Sequence, residues 1–306
     1  MTAHIPVLLN RVLETLGDIS GRTIVDATFG AGGYSREFLR RGANVIAFDR
    51  DPSVAPFADA LKIQYPDRFT FINDKFSNII SHITYLSAGV SAKVDNISHV
   101  IFDVGVSSMQ VDTPGRGFSW RFDAPLDMRM GMECGGKTAA EVIKESTEDD
   151  LAKIFRDYGG LKEARAIAHS LKARPPKTTF ELRDAVFNPR DHAPAFQALR
   201  IAVNDELGEL ARALDAAAAL LASGGICACI TFHSLEHRLV KQKFLDWTAE
   251  AGDPRLPAAG TPRKEFQLLR PRRPDAAEVA ANPRARSSCL RAVRKIDKVE
   301  AKGEIL

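Results

Sequence analysis

Three aspartates each end a short apolar segment, a placement that could bind a ligand. The segments are residues 24–25, 44–48 and 99–102, and they end in Asp26, Asp49 and Asp103. Short apolar runs separated by helical segments predict buried parallel strands. A ligand of such a sheet lies across the carboxyl ends of the strands. Carboxylates gathered there could accept hydrogen bonds from hydroxyls and attract a cationic group.

A glycine-rich turn follows the first of these acids. Residues 30–33 are Gly-Ala-Gly-Gly, and residues 34–39 then predict a helix. Glycine lets the backbone approach a ligand without an intervening Cβ, and a helix start presents free N–H groups. The spacing departs from G-x-G-x-x-G because Ser35 stands in place of the third glycine. A tight turn without a ligand is therefore the alternative.

Two further residues suit the parts of a nucleoside. Asp49 comes 19 residues after Gly30, where an acid in a nucleotide-binding unit accepts hydrogen bonds from ribose hydroxyls. The alternative is a helix cap, a role that Asp51 before a proline could fill separately. Phe76 follows a third predicted strand and offers an apolar face to adenine, with core packing as the alternative.

The clustered acids favour S-adenosylmethionine over a dinucleotide as the cofactor. Carboxylates repel phosphates, whereas S-adenosylmethionine carries hydroxyls and a cationic amino acid group. A metal is not predicted, because the cysteines contain no C-x-x-C pair and the strand residues Cys227 and Cys229 are typical of buried free thiols. The cysteines are Cys134, Cys227, Cys229 and Cys289.

The alternation of strands and helices stops between residues 110 and 206. Thr147 and Thr178 are typical helix starts there, and residues 194–210 predict a longer helix. After residue 206, the sequence pattern predicts a fifth strand and then two basic strands near the end of the chain. We therefore predict an α/β, Rossmann-like fold with a mostly parallel sheet. Residues 1–109 and 207–306 would form the core, and residues 110–206 an inserted all-helical substrate-recognition subdomain.

The insert begins with a loop that combines cations and an aromatic residue. Its candidate RNA-binding residues are Arg116, Trp120, Arg121 and Arg129. Unpaired nucleic acid is bound by phosphate contacts together with base stacking, so this composition favours RNA. The alternative is a structured loop held together by Arg–Asp pairs.

Positive charge is concentrated near the end of the chain. The 306 residues carry a formal net charge of +3, yet residues 263–298 contain eleven bases and four acids. This basic segment, which includes Arg284 and Arg286, predicts a polyanionic partner, with a merely solvated face as the alternative. No apolar run reaches the roughly 20 residues of a membrane span, and no signal or transit segment is evident, so we predict a cytoplasmic protein.

Several strings resemble the ribosomal RNA small subunit methyltransferase H family (RsmH, also called MraW). They lie at residues 4–9, 26–33, 48–52, 103–108, 110, 117–119, 125–130, 204–207, 232–236 and 282–287, so the resemblance extends from about residue 4 to residue 296. The resemblance implies a class I, S-adenosylmethionine-dependent enzyme. Its substrate would be N4 of a cytidine in the decoding centre of 16S rRNA, within the small ribosomal subunit.

The resemblance also implies particular site residues. The cofactor contacts would be Gly32, Gly33, Tyr34, Asp49, Phe76, Asp103 and Gln110. The acceptor that polarises the target amine should lie just past the fourth strand, with Asp103 as the catalytic candidate. The chain departs from the family pattern at Tyr34 (usually histidine), Trp120 (phenylalanine), Gly131 (aspartate) and His237 (aspartate).

Two other functional classes remain open. A dinucleotide-dependent oxidoreductase could use the same fold, although the glycine spacing and the clustered acids oppose it. A non-enzymatic RNA-binding or ribosome assembly factor would retain the cofactor site without turnover. Methylation of a DNA or protein amine is a related enzymatic alternative, because phosphate contacts carry no information about the sugar.

Overall fold

The computed structural model describes residues 6–88, 96–131, 135–249 and 265–296. The chain divides into two compact units, one formed by Met1–Gly105 with Glu209–Leu306 and the other by Val106–Gly208. Residues 4–5 of the first family string, Cys134, and both ends of the basic segment, 263–264 and 297–298, lie outside the described residues. Within the described ranges, no helix is both long and apolar enough to cross a membrane.

In the part of the first unit that the structure describes, seven strands form a single sheet. They are β1 (Thr23–Asp26), β2 (Asn44–Phe48), β3 (Phe69–Ile72), β4 (Ile97–Asp103), β5 (Leu221–Thr231), β6 (Phe266–Leu268) and β7 (Cys289–Lys295). Their order is β3-β2-β1-β4-β5-β7-β6. The first five strands are parallel, while β7 is antiparallel to β5 and β6. The predicted mostly parallel, Rossmann-like sheet is confirmed.

Helices fill the intervals between the strands and form the second unit. They are α1 (Leu9–Leu16), α2 (Gly33–Arg40), α3 (Ala55–Gln64), α4 (Ile79–Ala88), α5 (Ser108–Asp112), α6 (Ala139–Glu145), α7 (Glu148–Gly159), α8 (Ala164–Ala173), α9 (Thr179–Ala185), α10 (His192–Asn204), α11 (Glu206–Leu220), α12 (Ser234–Thr248) and α13 (Ala276–Ala281). The strand order reverses direction between β1 and β4. Such a switch point opens a crevice at the carboxyl ends of the strands.

The core of the first unit explains the apolar runs of the sequence. Phe48 and Phe102 are fully buried in it, as are Cys227 and Cys229. Both cysteines are free thiols, as predicted, and burial raises the pKa of each thiol. Because these strands are buried on both faces, their sequence is continuously apolar rather than alternating.

The second unit is held by capped helices around its own apolar core. The Thr147 hydroxyl accepts a hydrogen bond from the N–H of Asp150 and starts α7, and Thr178 forms a capping box with Glu181 at α9. The core contains the fully buried Phe155 and Leu199. The role of this unit in substrate recognition stays a prediction.

Candidate functional site

Asp26 ends β1 and is fully buried in the first unit. Its side chain accepts hydrogen bonds from Ser35 Oγ at 2.7 Å and from the Thr28 N–H at 3.3 Å. Burial raises the pKa of this carboxyl to about 6, although both hydrogen bonds oppose the shift. Asp26 therefore fixes the start of α2 to the end of β1.

Asp49 joins the glycine-rich turn to the end of β2. Its carboxylate accepts hydrogen bonds from the Gly30 N–H at 2.8 Å and from the Asp51 N–H at 2.9 Å. Burial raises its pKa to about 6. Asp51 caps the next helical turn by accepting from the Ser53 N–H. The capping role thus falls to Asp51, and ribose binding by Asp49 stays a prediction.

Asp103 is the least satisfied of the three acids. It ends β4, and its backbone N–H donates to the Thr28 hydroxyl at 2.7 Å. Its Oδ1 atom is buried and has no hydrogen-bond partner among the described residues. Burial, with smaller contributions from Asp26 and Glu236, raises the pKa of this carboxyl to about 8. Such a group favours a ligand that brings a positive charge or hydrogen-bond donors.

The backbone of the glycine-rich turn has a conformation that would let a ligand approach it closely. Gly30 and Gly32 both have positive φ angles, and α2 begins at Gly33. The side chain of Tyr34 is buried, its hydroxyl donates to the Val7 carbonyl, and burial raises its pKa well above the usual range. With this geometry, Tyr34 presents a backbone N–H rather than a free phenol at the helix start.

Phe76 lies at the start of a helical turn, Phe76–Asn78, that follows β3. Its ring is half-buried and meets Phe102 edge-on at a centroid distance of 5.8 Å. Both interpretations of this residue therefore have structural support, since one part of the ring packs on the core while the rest is accessible.

Sequence reasoning missed Glu236, which neighbours Asp103. Only 2% of Glu236 is exposed, and its Oε2 atom accepts hydrogen bonds from the N–H groups of Phe232 and His233 at the start of α12. A Cβ added to Gly105 would lie 3.9 Å from Glu236 Oε1. The available signal was an acid three residues after His233, a spacing that is typical of helix capping alone.

Gln110 lies in the second unit, where it stabilises the start of α5. Its Oε1 atom accepts from the Ser107 N–H at 3.0 Å, while its own N–H donates to Ser107 Oγ at 3.2 Å. Only 5% of the residue is exposed. Its predicted contact with the cofactor stays a prediction.

Three of the four loop residues assigned to RNA make contacts that organise the second unit. Arg116 donates to the carbonyls of Arg129 and Met130, and Arg129 forms a two-pronged pair with Asp127 at 2.7 Å for each bond. The Trp120 ring meets Phe196 at 5.6 Å and packs on the core of the unit. The structured-loop alternative therefore has structural support at these three residues, and their binding of RNA stays a prediction. Arg121 is exposed.

This difference between the arginines gives a test. We expect Arg121→Ala to weaken RNA binding with little change in stability, because the side chain is exposed. Arg129→Ala should lower the free energy of unfolding by roughly 1–2 kcal/mol, since it breaks charge-assisted hydrogen bonds to Asp127. Urea denaturation and RNA anisotropy would check both. The interpretation would be wrong if Arg121→Ala destabilised the protein more than Arg129→Ala.

The two C-terminal candidates lie on a short helical turn of the first unit. Arg284 and Arg286 belong to the turn Pro283–Ser287, and both are exposed. Three further arginines of the basic segment are exposed as well, namely Arg270, Arg273 and Arg294. Lys295 instead donates to the carbonyls of Ala218 and Leu221. The basic segment therefore contains accessible arginines as well as a lysine, Lys295, whose ammonium group is bonded to the backbone of the first unit.

Comparison with known proteins identifies the family. A family model described as the MraW methylase family matches residues 1–296. The chain belongs to this family. A protein of Brucella anthropi called ribosomal RNA small subunit methyltransferase H is 43% identical over 305 residues, covering 94% of this chain and 86% of that protein. Its namesake in Rhizobium etli is 44% identical over 310 residues, covering 96% and 88%.

Among solved structures, an rRNA methylase from Streptococcus thermophilus aligns with a TM-score of 0.45 and 11% sequence identity. The alignment covers 96% of this chain and 100% of that chain. For this MraW-family chain, the residues at the carboxyl ends of β1, β2 and β4 fit S-adenosylmethionine. The deciding feature is the buried Oδ1 atom of Asp103, which can receive a hydrogen bond from a cationic ligand.

Proposed function

We propose that this chain transfers the methyl group of S-adenosylmethionine to N4 of a cytidine in the decoding centre of 16S rRNA. The observation that carries the cofactor assignment is the buried Oδ1 atom of Asp103, which has no hydrogen-bond partner among the described residues, in the unit that holds the glycine-rich turn. The RNA target draws on the names of the curated relatives, which are ribosomal RNA small subunit methyltransferases. The exposed cations at Arg284 and Arg286 support a nucleic-acid partner.

Different residues of the first unit would bind different parts of the cofactor. Asp49 would accept hydrogen bonds from the ribose, Phe76 would contact the adenine, and Asp103 would lie near the cationic amino acid portion. Gly32 and Gly33 would allow close approach of the backbone. When bound, the cofactor supplies a methyl group activated by its positively charged sulfur.

The chemical difficulty lies in the target amine. Its lone pair is delocalised into the cytosine ring, so the amine is a weak nucleophile. Alignment of the reacting groups can supply up to about 7–11 kcal/mol of such a barrier. A carboxylate at the end of β4 could also polarise the N–H bond, once a bound cation has favoured the ionised form of Asp103.

The experiment is transfer of labelled methyl from S-adenosylmethionine to small ribosomal subunits from cells that lack this protein. Nucleoside analysis should recover the label as N4-methylcytidine, and the Asp103→Asn variant should give far less. Label in a different nucleoside would overturn the N4 assignment while keeping the rRNA substrate. Absence of label, with cofactor binding intact, would overturn the enzymatic proposal in favour of an RNA-binding factor.

A fluorescence titration with a nicotinamide dinucleotide tests the oxidoreductase alternative directly. Asp26, Asp49 and Asp103 lie at the carboxyl ends of neighbouring strands, and carboxylates there oppose the binding of a pyrophosphate. We therefore expect no saturable change in fluorescence. Tight, saturable binding of the dinucleotide would contradict the cofactor assignment.

A further inference from the structure

An exposed aromatic residue lies next to Arg121, and it is not the predicted Trp120. Phe122 is 46% exposed. Its carbonyl accepts a hydrogen bond from Thr179 Oγ1 at 2.6 Å, and the adjacent Asp123 carboxylate accepts from the Phe180 N–H at 3.3 Å. These bonds hold the loop against the start of α9, so the Phe122 ring is presented from a fixed backbone.

The start of α9 adds a second flat surface. The guanidinium carbon of Arg183 lies 3.9 Å from the centre of the Phe180 ring, one helical turn away. Asp184 accepts a 2.7 Å hydrogen bond from Arg183 Nε, which restricts the guanidinium further. Aromatic rings and guanidinium planes are both surfaces on which unpaired bases stack.

We propose that Arg121, Phe122, Phe180 and Arg183 form a stacking surface for unpaired bases of the RNA substrate. The inference rests on the proposed function and extends it by naming where the second unit contacts the nucleic acid. Isolated exposed aromatics are common on protein surfaces. Here, however, each aromatic is accompanied by an arginine. The half-buried Phe180 carries the guanidinium of Arg183, whose charge is paired with Asp184, and the exposed Phe122 adjoins the exposed Arg121. The set therefore offers flat faces for bases and, at Arg121, a cation for a phosphate.

The composition of the surface favours RNA over a protein partner. A groove for an amphipathic helix is lined by contiguous apolar side chains. This surface instead combines two aromatic rings with two arginines, and the carboxylates of Asp123 and Asp184 are bonded to the Phe180 N–H and to Arg183. Phosphate contacts and base stacking can both be made by such a set.

The test measures binding of a fluorescent single-stranded RNA taken from the target region of 16S rRNA. Loss of one base-stacking contact costs about 1–3 kcal/mol, so Phe122→Ala should weaken binding by roughly 5- to 150-fold. Phe122→Trp should preserve binding, because the larger ring still stacks. Tyr85→Ala is the matched control, since Tyr85 is a 79% exposed aromatic of the first unit, and it should bind as the unaltered protein does.

The dependence on salt and on the bases separates stacking from other effects. Phe122→Ala should leave the salt dependence of binding unchanged, whereas Arg121→Ala should reduce it. An RNA of the same length with abasic nucleotides should erase the difference between Phe122→Ala and the unaltered protein. Thermal melting should show that Phe122→Ala remains folded; if it does not, Phe122→Trp and the abasic RNA still decide the question.

Specific outcomes would overturn the inference. Equal RNA affinity for Phe122→Ala and the unaltered protein would remove the surface from RNA binding. A defect seen only with assembled subunits, and not with naked RNA, would indicate a contact with ribosomal protein. Methyl transfer by the unaltered protein keeps the proposed function in either case, whereas its absence would count against that function and not against this surface.

Discussion

Asp103→Asn is expected to weaken S-adenosylmethionine binding by about 10- to 100-fold, because hydrogen bonds to charged groups contribute about 1.5–3 kcal/mol. The Asp103 carboxyl has a pKa raised to about 8, mainly by burial, and its buried Oδ1 atom lacks a partner among the described residues. A cationic ligand favours the ionised form. Isothermal titration should therefore show release of a proton on binding below pH 8, with an affinity that rises from pH 6 to pH 8.

The same substitution should have the opposite effect on the cofactor-free protein. The pKa of Asp103 is raised on folding from 3.8 to about 8, so the folded state holds this proton more tightly than the unfolded state does. Its contribution to stability is complete below about pH 4 and is lost as the pH rises towards 8. Asparagine cannot ionise, so Asp103→Asn should be more stable than the unaltered protein at pH 8.

Urea denaturation at pH 5 and pH 8 would measure this second effect. Asp67→Asn is a suitable control, since Asp67 is exposed, and neither its stability nor its cofactor affinity should change. Unchanged cofactor affinity in Asp103→Asn, together with an unchanged dependence of stability on pH, would remove Asp103 from the site.

The fold was predictable because its signals are local. The apolar segments of β1, β2 and β4 each end in an acid, and alternation with helices determines a parallel sheet. The capping of α9 by Thr178 and Glu181 was likewise evident from a spacing of three residues. Each of these patterns depends only on residues that are close together in the sequence, so the strands and the helix start could be predicted from the sequence alone.

The predicted helix at residues 194–210 is confirmed over residues 194–204, but its continuation to residue 210 was wrong, because the interruption depends on one backbone angle. α10 ends at Asn204, and Asp205 has a φ angle of 48° before α11 begins. Asparagine and aspartate tolerate this conformation better than most residues. Asn204 completes the break, since its side chain is bonded to the backbone of Met128 and Met130, more than 70 residues earlier.

The roles of the loop residues depended on similar long-range contacts. Trp120 packs against Phe196, and the Tyr34 hydroxyl is bound by Val7, so neither interaction could be inferred from spacing. The pair between Asp127 and Arg129 was foreseeable, since only one residue separates them. Composition identified a loop with aromatic and cationic residues, but the exposed aromatic is Phe122, two residues after the predicted Trp120.

In the glycine-rich turn, we expect alanine substitutions to affect protein stability and cofactor affinity differently. Gly30 has a φ angle of 54° and Gly32 one of 73°, so alanine at either position costs about 1–2 kcal/mol in backbone strain. A Cβ on Gly32 would also lie 2.8 Å from the Phe29 ring, whereas a Cβ on Gly30 would have no heavy atom within 4 Å. Gly32→Ala should therefore destabilise the protein more than Gly30→Ala.

The packing of Phe29 explains why the clash is not easily relieved. Its ring is 3% exposed and lies 5.7 Å from the ring of Phe69 and 5.2 Å from that of Phe71. Displacing a well-packed side chain adds about 1–3 kcal/mol to the backbone strain. Urea denaturation should therefore give Gly32→Ala a free energy of unfolding about 1–3 kcal/mol lower than that of Gly30→Ala.

Cofactor affinity should not follow this order of stability if the turn contacts the ligand. The Gly30 N–H is bonded to the Asp49 carboxylate, so an added Cβ at Gly30 enters the space next to the predicted ribose position. We expect Gly30→Ala to reduce S-adenosylmethionine affinity about 10-fold, the equivalent of ~1.4 kcal/mol, although it destabilises the protein less than Gly32→Ala does. Full affinity in Gly30→Ala would mean that the ligand lies away from this turn, and the ribose role of Asp49 would then have to be abandoned as well.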